Sequence, residues 1–183
     1  MDDAKVTQLL SKWQAGDTDA FDRLVTLLYP EFKAIAVNQF RRERAGHTLQ
    51  PTALINEAFL QLRDADIEIE NDLHLKRVVA FTMRRVLVDH ARRRNREKRG
   101  GNLSIRTFRD DVADRDDLVG VVDLDNAIQE LSAFDPLSAE LLCLHYFGGM
   151  TYAEMSAIVS KAESTVHSKL RHARAWLASR GSL

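Results

Sequence analysis

The 183-residue sequence is poor in helix-breaking residues and in cysteine. Its 8 glycines and 3 prolines are few for its length, which favours helices. The single cysteine, Cys143, excludes an internal disulfide framework and a thiolate zinc cluster. No N-terminal apolar run reaches the length of a signal peptide or a membrane span. We therefore expect a soluble, cytoplasmic, mainly helical protein.

The sequence also has little net charge, with a formal value of −1 at pH 7. That average hides two basic segments with an acidic one between them. Residues 84–99 hold eight Lys/Arg against two acids, and residues 161–180 hold five Lys/Arg against one acid. Residues 109–125 hold seven Asp against two Arg. Basic segments of this kind attract a polyanion even when the whole chain is nearly neutral.

Apolar periodicity predicts four helices in the first 99 residues. Gly16 ends the first helix, and Pro30 is expected to kink or divide the second. Pro51 is well placed in the first turn of the third helix. The fourth helix is long, from about residue 73 to residue 98.

A polar, acidic stretch with weak periodicity follows and is typical of an interdomain linker. Beyond it, Asp135 and Pro136 form an N-cap and first-position pair, and Thr151 opens a helix with a capping-box sequence. No segment has the period of a strand. We predict an all-α fold with two helical domains, residues 1–99 and 121–183, joined by a flexible linker at 100–120.

The last two predicted helices form a helix-turn-helix motif. In such a motif the second helix enters the major groove and contacts base edges and phosphates. The alternative is an amphipathic helix whose basic face is merely solvated. The candidate DNA-binding residues on its exposed face are Ser164, Thr165, His167, Ser168, Lys169, Arg171, His172 and Arg174.

Three segments, in order, resemble the extracytoplasmic-function (ECF) sigma factors of the sigma-70 family. Residues 49–62 (LQPTALINEAFLQL) and 83–94 (MRRVLVDHARRR) resemble parts of sigma region two. Residues 141–155 (LLCLHYFGGMTYAEM), with residues 164–166 and 172–177, resemble sigma region four. Each segment alone is moderate support for the family, whereas three in the right order are strong support.

The resemblance implies a protein that joins core RNA polymerase and directs it to promoter DNA. The third helix would dock on the clamp helices of the largest polymerase subunit through Leu54, Asn56, Glu57, Phe59 and Leu60. The loop at residues 67–73 would capture a flipped base of the −10 element, and the C-terminal helix-turn-helix would read the −35 element. The acidic linker would lie in the path of the nascent RNA.

The helix after that loop would contact the promoter backbone. A run of arginines is more often a phosphate-binding or solvated face than a base reader, so we assign these side chains to phosphates. The residues expected near the −10 DNA are Asn71, Arg77, Arg84, Arg85, His90, Arg92 and Arg93.

One departure from the family pattern concerns charge. Most ECF sigma factors have an acidic tetrad before the docking pair, whereas this chain has an uncharged segment, residues 50–53. A phosphate on Thr52 would restore negative charge near a helix N-terminus. Sigma groups with Pro-Thr at this place are associated with serine/threonine kinases. We hypothesise phosphorylation of Thr52 as a switch; the alternatives are that Thr52 is an ordinary first-turn residue, or that an anti-sigma factor exerts control.

A second departure lies in the DNA-reading turn. The family usually has Gly-Ile-Ser there, and this chain has Ser160-Lys161-Ala162. Ser160 and Glu163 could form a replacement capping box that starts the last helix earlier. Such a shift would change which side chains face DNA.

Two other functions stay open. One is a stand-alone helix-turn-helix regulator that binds duplex DNA as a dimer without polymerase. The other is a degenerate sigma factor that binds polymerase or a regulator without directing initiation. The sequence has no nucleophile–base motif, phosphate-binding glycine loop or histidine pair for zinc. We therefore expect no enzyme activity, no cofactor and no metal, and we expect Cys143 to be a buried apolar residue.

Overall fold

The computed structural model describes residues 3–41, 51–65, 67–99 and 120–179. These residues form eight α-helices and no strand, which confirms the all-α prediction. The helices are α1 (Asp3–Gln14), α2 (Thr18–Arg41), α3 (Pro51–Arg63), α4 (Asp72–Arg99), α5 (Val121–Ser132), α6 (Pro136–Tyr146), α7 (Tyr152–Val159) and α8 (Glu163–Ser179). We call α1–α4 the N-terminal half and α5–α8 the C-terminal half. The predicted linker falls almost wholly outside the described residues.

Local sequence signals explain several helix ends. Gly16 follows α1 with φ of 96°, a conformation that glycine adopts at low cost. The Asp17 carboxylate accepts from the backbone N–H groups of Asp19 and Ala20 at the start of α2. Asp135 caps α6 through the backbone N–H of Ser138. Of the two outcomes expected at Pro30, division does not occur, because α2 continues through it to Arg41.

In the N-terminal half, α2 packs between α1 and α3, and α4 packs mainly against α3. Buried side chains of α2 and α3 meet in the core of this half, where the rings of Phe32 and Phe59 contact edge to face at 5.7 Å. Trp13 of α1 lies against Phe21 of α2, with ring centroids 4.8 Å apart. The C-terminal half has an equivalent aromatic contact, between Phe134 and Trp176 at 5.6 Å.

The two halves are packed together. Helix α4 contacts α5, α6 and α7, and the buried apolar residues of both halves belong to one continuous hydrophobic cluster. Within the described part of the chain, none of the helices combines the length and the apolar content needed to cross a bilayer. Because α4 also carries the candidate −10 residues, its contacts decide which of them are accessible.

Candidate polymerase and nucleic-acid interfaces

Helix α7, a tight turn and α8 form the predicted helix-turn-helix. Thr151 and Glu154 make a complete capping box: the Thr151 N–H donates to Glu154 at 2.9 Å and the Glu154 N–H donates to the Thr151 hydroxyl at 3.3 Å. Val166, Leu170, Ala173 and Leu177 are all buried, as the periodicity predicts. The opposite face of α8 points away from this core and carries the candidate −35 residues.

The turn between these helices does not follow the capping prediction. Ser160 ends α7 in the left-handed conformation, with φ of 51° and ψ of 45°. An N-cap residue needs extended backbone, so Ser160 cannot cap α8, and α8 begins at Glu163. The prediction of an earlier start is wrong. Ser160 occupies the position where the family pattern has glycine. Glycine adopts a left-handed conformation at low cost, so it fits this turn.

The candidate −35 residues divide into exposed and engaged side chains. Ser164, His167, Arg171 and His172 are exposed, while Thr165, Ser168, Lys169 and Arg174 are partly buried. The rings of Tyr152 and His167 stack with centroids 3.6 Å apart. A shallow groove lies along this face and is lined by Tyr152, Ser164, His167, Ser168, Arg171 and Arg174. The exposed set starts at the N-terminal end of α8, the end that contacts base edges in a helix-turn-helix.

Two of the predicted cations have partners within the C-terminal half. Lys169 donates to Asp135 at 2.9 Å, and Arg174 contacts the ring of His145. Burial would raise the pKa of Asp135, but hydrogen bonds from Ser138 and Lys169 outweigh it and lower that pKa. Lys169 thus helps to hold the start of α6 and is less available to a phosphate than Arg171.

Beside the loop at residues 67–73 there is a groove against α4. Its apolar members Ile67 and Phe81 are 42% and 37% exposed, and Arg77 and Arg85 lie beside them. Asn71 caps α4, because its side-chain oxygen accepts from the His74 backbone N–H at 2.9 Å. A half-exposed aromatic ring flanked by cations suits an unstacked base and its phosphates.

The basic face of α4 is partly occupied by the C-terminal half. The Asp125 carboxylate accepts from Arg84 at 2.7 Å, from Arg92 at 3.0 Å and from Gln129 at 2.8 Å. Arg77 pairs with Glu140 at 2.8 Å. Arg85 and Arg93 are exposed, and His90 is partly buried. Three of the candidate −10 cations are therefore paired with carboxylates from across the interface.

Lys76 is buried at the same interface among three acids. Its ammonium lies 3.0 Å from Glu154, 3.2 Å from Glu31 and 3.5 Å from Asp72. Burial would lower the pKa of Lys76, but these carboxylates outweigh it and raise that pKa above its ordinary value. Burial would likewise raise the pKa of Glu154, yet the Thr151 N–H and Lys76 hold it below its ordinary value. Both groups are charged at neutral pH, and Lys76 connects the two halves through Glu154.

The candidate polymerase-binding residues on α3 also differ in how far their side chains are exposed. Leu54 and Phe59 are 0% and 5% exposed, so they belong to the core and orient the helix instead of contacting a partner. Asn56 and Glu57 are exposed, and Leu60 is 46% exposed. Thr52 is exposed in the first turn, which carries no acidic residue. The outward face of α3 offers an amide, a carboxylate and an apolar side chain to a partner.

Sequence reasoning missed the acids that cross the interface. The sequence places Asp125 at the end of the acidic segment 109–125, yet in the structure it is 4% exposed. It lies one turn before Ile128 on α5, so an acid beside the apolar stripe is the signal that could have revealed it. Glu154 was recognised as a capping residue, and its second contact with Lys76 has no signature in the sequence.

The ECF sigma factor family model matches residues 3–182, which include all eight helices. The chain therefore belongs to the ECF sigma factor family. Members of this family work with core RNA polymerase and promoter DNA. No curated protein matches the chain.

Proposed function

We propose that this protein directs promoter-specific initiation through three separate surfaces. The exposed face of α3, with Asn56, Glu57 and Leu60, docks on the polymerase clamp. The groove beside α4 receives the −10 element, and the exposed face of α8 receives the −35 element. The function is binding without catalysis. The observation that carries the proposal is the family match over residues 3–182, because it includes the helices of all three proposed surfaces.

We further propose that phosphorylation of Thr52 by a serine/threonine kinase strengthens docking on polymerase. The first turn of α3 lacks an acidic residue, and Thr52 is exposed there. A phosphate adds about −1.5 to −2 charges at neutral pH, and a helix N-terminus stabilises an anion. Charge complementarity of this kind increases the association rate and fixes the orientation of the partner.

The test is the affinity of the purified full-length chain for core RNA polymerase. We expect Thr52→Glu to bind about tenfold more tightly than wild type, and the phosphorylated protein more tightly still. Thr26→Glu is the matched control, since it adds the same charge to an exposed position of α2. Glu57→Ala should weaken binding with or without phosphate.

The outcomes separate the alternatives. Equal, tight binding by wild type and Thr52→Glu would support sigma function and contradict the switch. Control by an anti-sigma factor, instead of phosphorylation, also predicts that the purified wild type binds polymerase tightly. Binding by none of the forms, together with tight dimeric binding of free protein to duplex DNA, would contradict sigma function and favour a stand-alone regulator.

A further inference from the structure

Three aromatic rings, each from a different helix, lie close together beside the groove on α8. Tyr152 of α7 contacts the other two. The His167 ring of α8 stacks on it, with centroids 3.6 Å apart and planes inclined by 12°. The His145 ring of α6 lies 6.4 Å from it, with planes inclined by 25°. Aromatic contacts of this kind are favourable, so the imidazole of His167 is held against a ring from another helix.

Tyr152 is itself firmly placed. It is the first residue of α7 and directly follows Thr151, the N-cap residue of a complete capping box. Its ring is partly buried and packs against the hydrophobic core, whereas His167 is exposed. A side chain that is already ordered before binding does not lose that freedom when it binds. The stack on Tyr152 therefore pre-organises an exposed imidazole.

His167 lies where a helix-turn-helix contacts bases. It is in the second turn of α8 and lines the groove on that helix. The N-terminal residues of such a helix contact base edges in the major groove. Stacking uses the face of the imidazole, while its hydrogen bonds form in the ring plane through the edge nitrogens. At least one of these nitrogens is an N–H donor in either protonation state.

The base edges of the major groove differ in how they meet such a donor. Guanine presents two neighbouring acceptors, N7 and O6, which can share one N–H group. Adenine places an amino donor beside its N7, cytosine presents an amino donor, and thymine has a methyl group beside its one acceptor. Arg171, which is exposed one helical turn further on, adds positive charge that also suits the guanine acceptors. Guanine is therefore the best partner for His167.

We propose that His167 selects a guanine in the −35 element and that Tyr152 is the positioning residue that holds its imidazole. Tyr152 acts through His167 and needs no base contact of its own. This inference rests on the proposed function, because it takes α8 as the −35 surface. It adds the base that is read and the two residues that read it.

The test is a selection of promoter fragments by the holoenzyme formed from the full-length chain and core RNA polymerase. The fragments differ only in a randomised −35 element, and the bound fragments are sequenced. We expect the wild type to enrich guanine at one position by about tenfold over the other bases. His167→Ala should lose the preference at that position and keep the preferences at the other positions.

Two substitutions of Tyr152 separate positioning from a structural role. Tyr152→Leu removes the ring and keeps an apolar side chain against the core, and it should lower the guanine preference by about threefold. Tyr152→Phe keeps a ring that can stack, and it should restore the wild-type preference. The matched control is Trp176→Leu, which removes a partly buried ring from the same helix outside the groove. It should leave every base preference unchanged.

Four results would overturn the proposal. The first is an unchanged guanine preference in His167→Ala, and the second is a preference at that position for another base. The third is a Tyr152→Leu protein that binds all fragments equally less well with unaltered preferences, as a structural role predicts. The fourth is loss of the same preference in Trp176→Leu.

Failure of the proposed function has a different signature. The wild-type protein would then form no holoenzyme with core polymerase, or its holoenzyme would enrich no −35 sequence at all. In each of the four results above, the wild-type holoenzyme still forms and still selects a −35 sequence. The two failures are therefore distinguishable.

Discussion

At the scale of single residues, Glu154 has two structural roles. It closes the capping box with Thr151 and also binds Lys76 from the other half. One side chain therefore links the start of the helix-turn-helix to the contact between the halves. A change in its charge should affect both.

This link predicts a dependence of stability on pH. The pKa of Glu154 is below its ordinary value of 4.5, so its contribution is complete above that value and is lost as pH falls through the lowered one. We expect the free energy of unfolding of the wild type to fall more steeply below about pH 5 than that of Glu154→Gln. Urea unfolding of both proteins at a series of pH values, from neutral to acidic, measures this free energy.

The control for this prediction is Asp22→Asn, which removes an exposed carboxylate from α2. It should keep the wild-type pH profile. A Glu154→Gln protein with the same profile as wild type would show that the negative charge of Glu154 contributes nothing to the free energy of unfolding.

At the scale of the elements, the turn between α7 and α8 carries local strain. Ser160 has φ of 51° and is the one residue other than glycine with positive φ among the described residues. A left-handed conformation costs an L-residue roughly 1–2 kcal/mol, and glycine avoids that cost while losing some chain entropy.

We therefore expect Ser160→Gly to stabilise the protein by up to about 1 kcal/mol. Lys161→Gly is the control, since its backbone does not need glycine and the substitution should destabilise slightly. Thermal unfolding of the three proteins decides the question. A lower melting temperature for Ser160→Gly would mean that the serine side chain stabilises the turn more than its backbone strains it.

Most helices were predictable because their signals are local. Gly16, Asp135 and the Thr151 capping box each act within four residues, and apolar periodicity identifies the buried face of α8. The continuous course of α2 was not predictable in this way, because its packing overrides the helix-breaking tendency of Pro30.

At the scale of the whole molecule, the packing of the halves lay beyond sequence reasoning. It depends on pairs far apart in the chain: Arg84 and Asp125 are 41 residues apart, and Lys76 and Glu154 are 78 residues apart. No periodic pattern joins such positions. The candidate site was predictable as a set of residues, but the sequence could not show that Arg77, Arg84 and Arg92 already have partners.

A reversible disulfide between the two halves can test whether they must separate for transcription to start. A Cβ atom on Gly149 would lie 3.8 Å from the Cβ of Ile35, which is the mean separation in disulfides. We expect the purified, oxidised Ile35→Cys/Gly149→Cys protein to support little transcription with core polymerase, and reduction to restore it. Cys143 should not interfere, because burial raises the pKa of its thiol to about 12.

Ile35→Cys alone, under the same oxidant, controls for effects of oxidation. The reduced double variant controls for the substitutions themselves, because a Cβ at Gly149 would lie 3.1 Å from the wild-type Ile35 side chain. If the cross-linked protein starts transcription as well as its reduced form, the packed state is compatible with initiation and the halves need not separate.

The two aromatic contacts give this molecule a useful optical property. Its 2 tryptophans lie in different halves, Trp13 against Phe21 and Trp176 against Phe134. Replacing either one with phenylalanine leaves a single tryptophan, whose emission reports on its own half. The intrinsic fluorescence of two such proteins can therefore distinguish a chain that melts as one cooperative unit from a chain that melts in two steps.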